Sequence, residues 1–347
     1  MKNPYTIVFG IEPTEYVDRL KQMESIVSDL EEGNQRVFML TGVRGSGKTV
    51  FMTAIKNRFK DKKNWDTVEL STETDMLTGL VDKLSYKDKL SDLFKKASIN
   101  LSVFGLDVGI NSGEAIRNIE VALSRMLETM KKHNRKLLVM VDEVIDNKTV
   151  REFASVFQIL IRDELPINLV MTGLYENIDN LQNEKNLTFL HRAPKYRLSP
   201  LSIGTMAASY QKNLKMDQET SIKFAQITRG YSYAFQVLGY CMWENGGDRE
   251  KSMIQLKQYL EEYVYDKIWS ELSEKDKSVV YAISQVESGR VKEIREKLGM
   301  ESNEFSPYKK RLIRKGVIGE EDSYARFTLP LFGEFVKENY FAPSTHT

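Results

Sequence analysis

The sequence predicts an α/β fold: a parallel sheet covered by helices, then an all-helical segment, then a small C-terminal domain. Three observations predict it. Short apolar runs at 36–41, 66–70, 135–143 and 167–173 alternate with stretches of helical spacing, and strands alternating with helices indicate a parallel sheet. The run Leu137-Leu138-Val139-Met140-Val141 is apolar without a break, as suits a strand covered on both faces. After Pro200 the chain reads as helix with no convincing strand.

Bulk properties bound what such a chain can do. A length of 347 residues suits two or three domains, and 41% hydrophobic against 29% charged residues permits a sizeable core. A formal net charge of +1 gives no global attraction to nucleic acid or membrane, so such binding needs a local patch. The single cysteine, Cys241, excludes an internal disulfide, and His133, His191 and His346 are too scattered for a zinc site. No apolar run approaches the roughly 20 residues that span a bilayer. With no signal peptide legible, a cytoplasmic location and no membrane partner are expected.

In chain order, residues 3–10 are an extended lead-in to a helix, with Pro13 and Thr14 near its start and Ile26, Val27 and Leu30 on its apolar face. The first strand, 36–41, runs into Gly42-Val43-Arg44-Gly45-Ser46-Gly47-Lys48-Thr49, and Val50 continues into a helix over 50–59. This stretch fits G-x-x-x-x-G-K-[ST] in the strand-loop-helix context that the motif needs. Glycines let the loop bend around a phosphate chain, and its amides and the helix N-terminus face the anion. Lys48 reaches the outer phosphates, and the Thr49 hydroxyl is a ligand for Mg²⁺. A strand at 66–70 precedes a helix over 72–96, and 97–110 reads as a hairpin by its alternation and glycines. The segment of about 72–113 is thus an insertion between the second and third core strands. Helices follow at 114–132 and 150–162.

A phosphate loop that hydrolyses its nucleotide needs carboxylates at the mouth of a neighbouring strand. Asp142 and Glu143 end the apolar strand there. Asp142 suits a metal-holding role and Glu143 a water-polarising one. Together with the loop, the chain resembles the AAA+-type P-loop ATPases, within the group that includes the origin-recognition ATPases and the STAND ATPases. The resemblance implies a P-loop NTPase core over 1–198, a helical lid over 199–270 and a C-terminal winged helix-turn-helix over 271–341, with ATP or ADP and Mg²⁺ as cofactors. It implies a polar sensor at Thr172, where the strand Val170-Met171-Thr172-Gly173 ends, and an arginine acting on a neighbouring copy, at Arg192 or Arg197. It places the adenine at the lead-in around Gly10, Ile11, Pro13 and Tyr16. The lid helix of such proteins carries an arginine that touches the nucleotide. Here the glycine-led start Gly230-Tyr231-Ser232 has none in its first turns, and Arg229 precedes the glycine instead.

The last domain reads as helices over 274–285, 291–299 and 302–316, then a turn and a strand over 325–329 in a hairpin-like tail. Three helices and a wing resemble a winged helix, whose third helix enters the DNA major groove. That helix carries Lys309, Lys310, Arg311, Arg314 and Lys315 against one acid, Glu304, so double-stranded DNA is the expected partner. Winged helices also dock proteins, and the turn Glu320-Glu321-Asp322 is acidic. The reading is therefore an ATP-binding, ATP-hydrolysing switch that contacts DNA. A nucleotide-gated protein-interaction module with slow hydrolysis stands as the alternative, and a defence or toxin component as a third. ATP is favoured over GTP because no Asn-Lys-x-Asp element is found.

Overall fold

The structure, a computed structural model, describes residues 2–8, 10, 13–15, 19–101, 116–319 and 321–340. The chain divides into two compact units: one holds residues 20–41 and 48–197, the other the described residues of 1–19, 42–47 and 198–347.

The first unit is built on a sheet of β1 (Val37–Thr41), β2 (Trp65–Leu70), β3 (Lys136–Val141), β4 (Ile167–Gly173) and β5 (Lys195–Arg197). Its order is β2-β3-β4-β1-β5, and every pairing is parallel. All the carboxyl ends therefore share one edge, the edge where ligands of open α/β sheets bind. β1 and β4 are buried at every position and β3 at all but its first, which is why they read as continuous apolar runs. β5 had no such signal: Lys195-Tyr196-Arg197 is a partly exposed edge strand.

The connecting helices are α1 (Leu20–Glu32), α2 (Lys48–Lys60), α3 (Met76–Ser85), α4 (Asp88–Lys96), α5 (Ile119–Lys132), α6 (Lys148–Arg162) and α7 (Tyr175–Gln182). The single helix expected over 72–96 is two. Asp75 caps the first by accepting from the Leu77 and Thr78 amides, and the chain breaks at Tyr86, whose ring is 75% exposed and cannot continue the buried face. α5 starts at Ile119 on an Asn118 cap, later than expected. The hairpin expected at 97–110 lies outside the described residues from 102 onward; Ile99 and Leu101 before it are buried in the sheet unit's core.

The second unit is helical: α8 (Ile203–Leu214), α9 (Gln218–Ile227), α10 (Ser232–Glu244), α11 (Arg249–Leu260), α12 (Asp266–Ser270), α13 (Glu274–Gln285), α14 (Val291–Leu298), α15 (Ser302–Arg314) and α16 (Phe332–Asn339). One core runs from Tyr5 through α8 to α16, so it crosses the boundary expected near 270 without a gap. The expected tail hairpin is reduced to two isolated antiparallel bridges, Arg290 with Tyr324 and Ile318 with Phe327. The helix after it, α16, was not expected; it is short, and buries Phe332, Phe335 and Val336.

Candidate functional site

The sheet unit carries one group of candidate residues, at the ends of β3 and β4 and the start of α2. Val141 pairs with Met171, so Asp142, the residue just past β3, comes beside Thr172, which is still within β4. Thr172 is fully buried and donates its hydroxyl to Asp142 Oδ1. Thr49, in the first turn of α2, donates to Asp142 Oδ2 at 2.6 Å. The carboxylate thus has one hydroxyl on each oxygen. The Glu143 amide also donates to Asp142 Oδ1 at 3.0 Å. Glu143 adopts φ +50° and is exposed. A non-glycine residue held there costs roughly 1–3 kcal/mol, and such strain gathers at functional positions. Lys48 and Thr49 open α2, which has no acid in its first turn, so nothing on the helix neutralises the partial positive charge at its N-terminus.

The loop residues Gly42 to Gly47 belong to the helical unit. Gly45 and Gly47 have φ +73° and +86°, which favours glycine at both. A Cβ on Gly45 would collide with Tyr231 Oη, and one on Gly42 with Ser46 Oγ. Three successive loop carbonyls are taken by the start of α10 and by Arg19. Tyr231 Oη donates to Arg44 O at 2.6 Å, and the Tyr233 amide to Gly45 O at 3.2 Å. Ser232 Oγ and Arg19 Nη2 donate to Ser46 O at 3.0 and 3.1 Å. No peptide bond here is cis. In a trans peptide the N–H points opposite to its C=O, so the amides of Gly45, Ser46 and Gly47 face away from α10. Ser46 N–H closes a turn onto Val43 O at 3.2 Å. Ser46 Oγ is buried with no hydrogen-bond partner among the described residues. Burial raises the Tyr231 phenol far above its ordinary pKa, so it remains a donor across the usual pH range. Arg44 pairs with Glu271 at 3.3 Å, and Val43 packs on Gly316 just beyond α15.

Within the helical unit the loop's features fit a phosphate chain; within the sheet unit the paired oxygens fit a magnesium ion. Backbone amides turned to one side, a buried hydroxyl with no described partner and glycines at two left-handed positions suit the phosphates. Thr49 and Asp142 offer paired hard oxygens, and Mg²⁺ commonly takes one or two protein ligands and completes its shell with water and phosphate oxygens. Among the described residues no group of three His, Cys, Asp or Glu side chains is placed to hold a metal by itself.

The remaining expected residues are spread out. Val50 continues α2 and is half-buried. Ile11 and Tyr16 lie outside the described residues. Arg229, at φ +52°, donates to the Phe327 carbonyl at 2.6 Å. Arg192 ends a 3₁₀ turn (Leu190–Arg192) and is exposed, and Arg197 ends β5. On α15, Arg311 forks onto Asp276 at 2.7 Å, and that carboxylate is only 2% exposed. Lys309 donates to the carbonyls of Glu321 and Asp322 at 2.5 and 2.7 Å, and burial lowers its pKa. Those two cations of the expected DNA-facing set are thus engaged within the protein. Lys310 and Arg314 lie on the same helix. Arg19, Ser232 and Tyr233 were not expected at the loop; they act on carbonyls, which every residue carries. No helix among the described residues is long and apolar enough to cross a membrane.

Residues 16–190 match a family described as an ATPase domain predominantly from Archaea, and residues 262–336 match a domain of unknown function, DUF8462. A Walker-type ATPase of Pyrococcus abyssi is 16% identical and superposes over 93% of this chain and 96% of its own, with a TM-score of 0.66. The ORC2 protein of Aeropyrum pernix, solved as ADPNP–ADP complexes, is 13% identical over 95% of this chain and 96% of its own, with a TM-score of 0.61. No curated protein matches the chain.

Proposed function

The chain belongs to the family of ATPase domains found predominantly in Archaea, and on that premise we propose that it binds ATP with Mg²⁺ on Gly42–Thr49 and hydrolyses it. The observation that carries this reading is the network of Thr49, Asp142 and Thr172 at neighbouring strand ends. Lys48 and the amides of Gly45 and Gly47 would hold the phosphates, and Thr49 and Asp142 would hold the metal. Magnesium, when bound, neutralises phosphate charge. Thr172 keeps Asp142 oriented by donating to it. Glu143, turned outward by its left-handed backbone, orients and polarises the attacking water. Arg192 or Arg197 would act on a neighbouring copy. Glu143→Gln should keep ATP affinity and slow phosphate release on the order of a hundredfold. An unchanged release rate contradicts Glu143's role.

For the C-terminal segment we propose a winged helix formed by α13, α14, α15 and the bridged wing, with Lys310, Arg314 and Lys315 facing DNA phosphates. A protein-docking role is the second reading, favoured by one observation: Arg311 and Lys309, two of the five cations expected on that helix, already bond within the segment. DNA affinity measured against salt decides. Phosphate contact gives a linear fall of log affinity with log salt, about 0.9 per contact. No binding at low salt leaves the protein-docking reading.

A further inference from the structure

Arg19 ends the described lead-in and lies outside every motif of the chain. Its guanidinium collects acceptors from three separate segments of the helical unit. Nε and Nη2 donate to Ser199 O at 3.2 and 2.9 Å, just before Pro200. Nη2 also reaches Ser46 O at 3.1 Å in the loop and Ser232 Oγ at 3.2 Å at the head of α10. Nη1 lies 3.7 Å from where a Cβ on Gly47 would stand, so it packs along the loop's last glycine. Ser232 Oγ completes the set by donating to the same Ser46 carbonyl at 3.0 Å.

Each of these hydrogen bonds falls on a backbone oxygen or a hydroxyl. Holding the Ser46 carbonyl fixes the plane of the Ser46–Gly47 peptide, and with it the direction of the Gly47 N–H. An arginine suits this task. Its planar fork is always charged and presents five donors in fixed directions, whereas a lysine offers one mobile point of charge.

We infer that Arg19 is a positioning residue for phosphate binding: it sets the Gly47 amide toward the nucleotide by clamping Ser46 O, Ser199 O and Ser232 Oγ. The inference rests on the ATP-binding reading of Gly42–Thr49. It differs from the role of Lys48, which meets the anion directly. Losing Arg19 should weaken ligands that carry phosphates and spare those that do not. Ser46 O retains Ser232 in that variant, so the loop is loosened rather than released.

The test is equilibrium binding of ATP, ADP and adenosine to the full chain as wild type, Arg19→Met, Arg19→Lys and Ser232→Ala, with the melting temperature of each free protein. Arg19→Met should bind ATP and ADP on the order of tenfold more weakly and adenosine unchanged, because the lost bonds are charge-assisted. Arg19→Lys should recover only part of that loss, and Ser232→Ala should show a smaller loss of the same phosphate-selective kind. Arg19→Met binding ATP like wild type overturns the inference alone, as does an equal loss for adenosine, which would mark a general structural role. A wild type that binds neither ATP nor ADP overturns the nucleotide reading and this inference with it. Should Arg19→Met not fold, the ATP-to-adenosine ratio of Ser232→Ala decides.

Discussion

The two units bury different chemistry. The sheet unit's main core cluster is largely aliphatic and methionine; among the described residues it includes no tyrosine. The helical unit's core includes Tyr5, Tyr210, Tyr231 and Tyr265. Each hydroxyl there has a partner. Tyr210 donates to Phe235 O at 2.9 Å, Tyr265 to Pro330 O and Tyr231 to Arg44 O at 2.6 Å, while Tyr5 and Ser209 share a bond of 3.0 Å. Strands sandwiched between helices satisfy their backbone through the ladder and need only apolar side chains. A unit of short helices leaves helix ends and loops with unbonded carbonyls, and a buried tyrosine fills space and satisfies one of them. One of these pegs is Tyr231 on the phosphate loop. The sheet unit positions candidate side chains at strand ends; the helical unit positions the backbone of the candidate loop.

This contrast can be broken from either side. In the sheet unit, Leu169→Ala in β4 empties a fully buried site and should cost about 2–5 kcal/mol in urea unfolding. A cost below that range would mean that the sheet core relaxes freely. In the helical unit, Tyr231→Phe keeps the ring but strands the Arg44 carbonyl, for about 1–3 kcal/mol. ATP affinity should fall with it, since the loop loses a clamp; unchanged stability and affinity would remove the peg from the account.

Alkaline pH should separate the units. Burial raises Tyr5 from 10.0 to about 12, although the Ser209 bond opposes the shift, and burial raises Cys241 from 9.0 to about 11. A folded pKa above the unfolded one means stability that is complete below the unfolded value and is lost as pH climbs through the folded one. For Tyr5 that window runs from pH 10 to about 12. Hydrogen exchange across it should show α8 to α10 opening before the sheet; simultaneous opening contradicts the contrast. The smallest effect is Asp75→Ala at the cap of α3, about 1 kcal/mol, confined to the sheet unit and visible as exchange at its first turn.

What could be read from the sequence follows the same division. β1, β3 and β4 were legible because full burial leaves uninterrupted apolar runs, and Gly42–Thr49 because phosphate wrapping demands glycines at fixed spacing. Asp142 was expected from its place at a strand end, and Thr172 from the resemblance. β5 was not legible, since an edge strand can be Lys-Tyr-Arg, nor was the break at Tyr86, where only exposure marks the change. Arg19 and Ser232 were hidden because their target is a carbonyl, which has no sequence signature. The basic face of α15 was legible as a cluster, but the bond from Arg311 to Asp276 spans 35 residues and no local pattern announces it.

The most direct test of the central claim, that ATP is held on Gly42–Thr49, is equilibrium binding of labelled ATP to the wild type and to Lys48→Ala. The account predicts saturable, magnesium-dependent binding to the wild type and its loss in Lys48→Ala, with the melting temperature of the free protein retained. Full affinity in Lys48→Ala would contradict it.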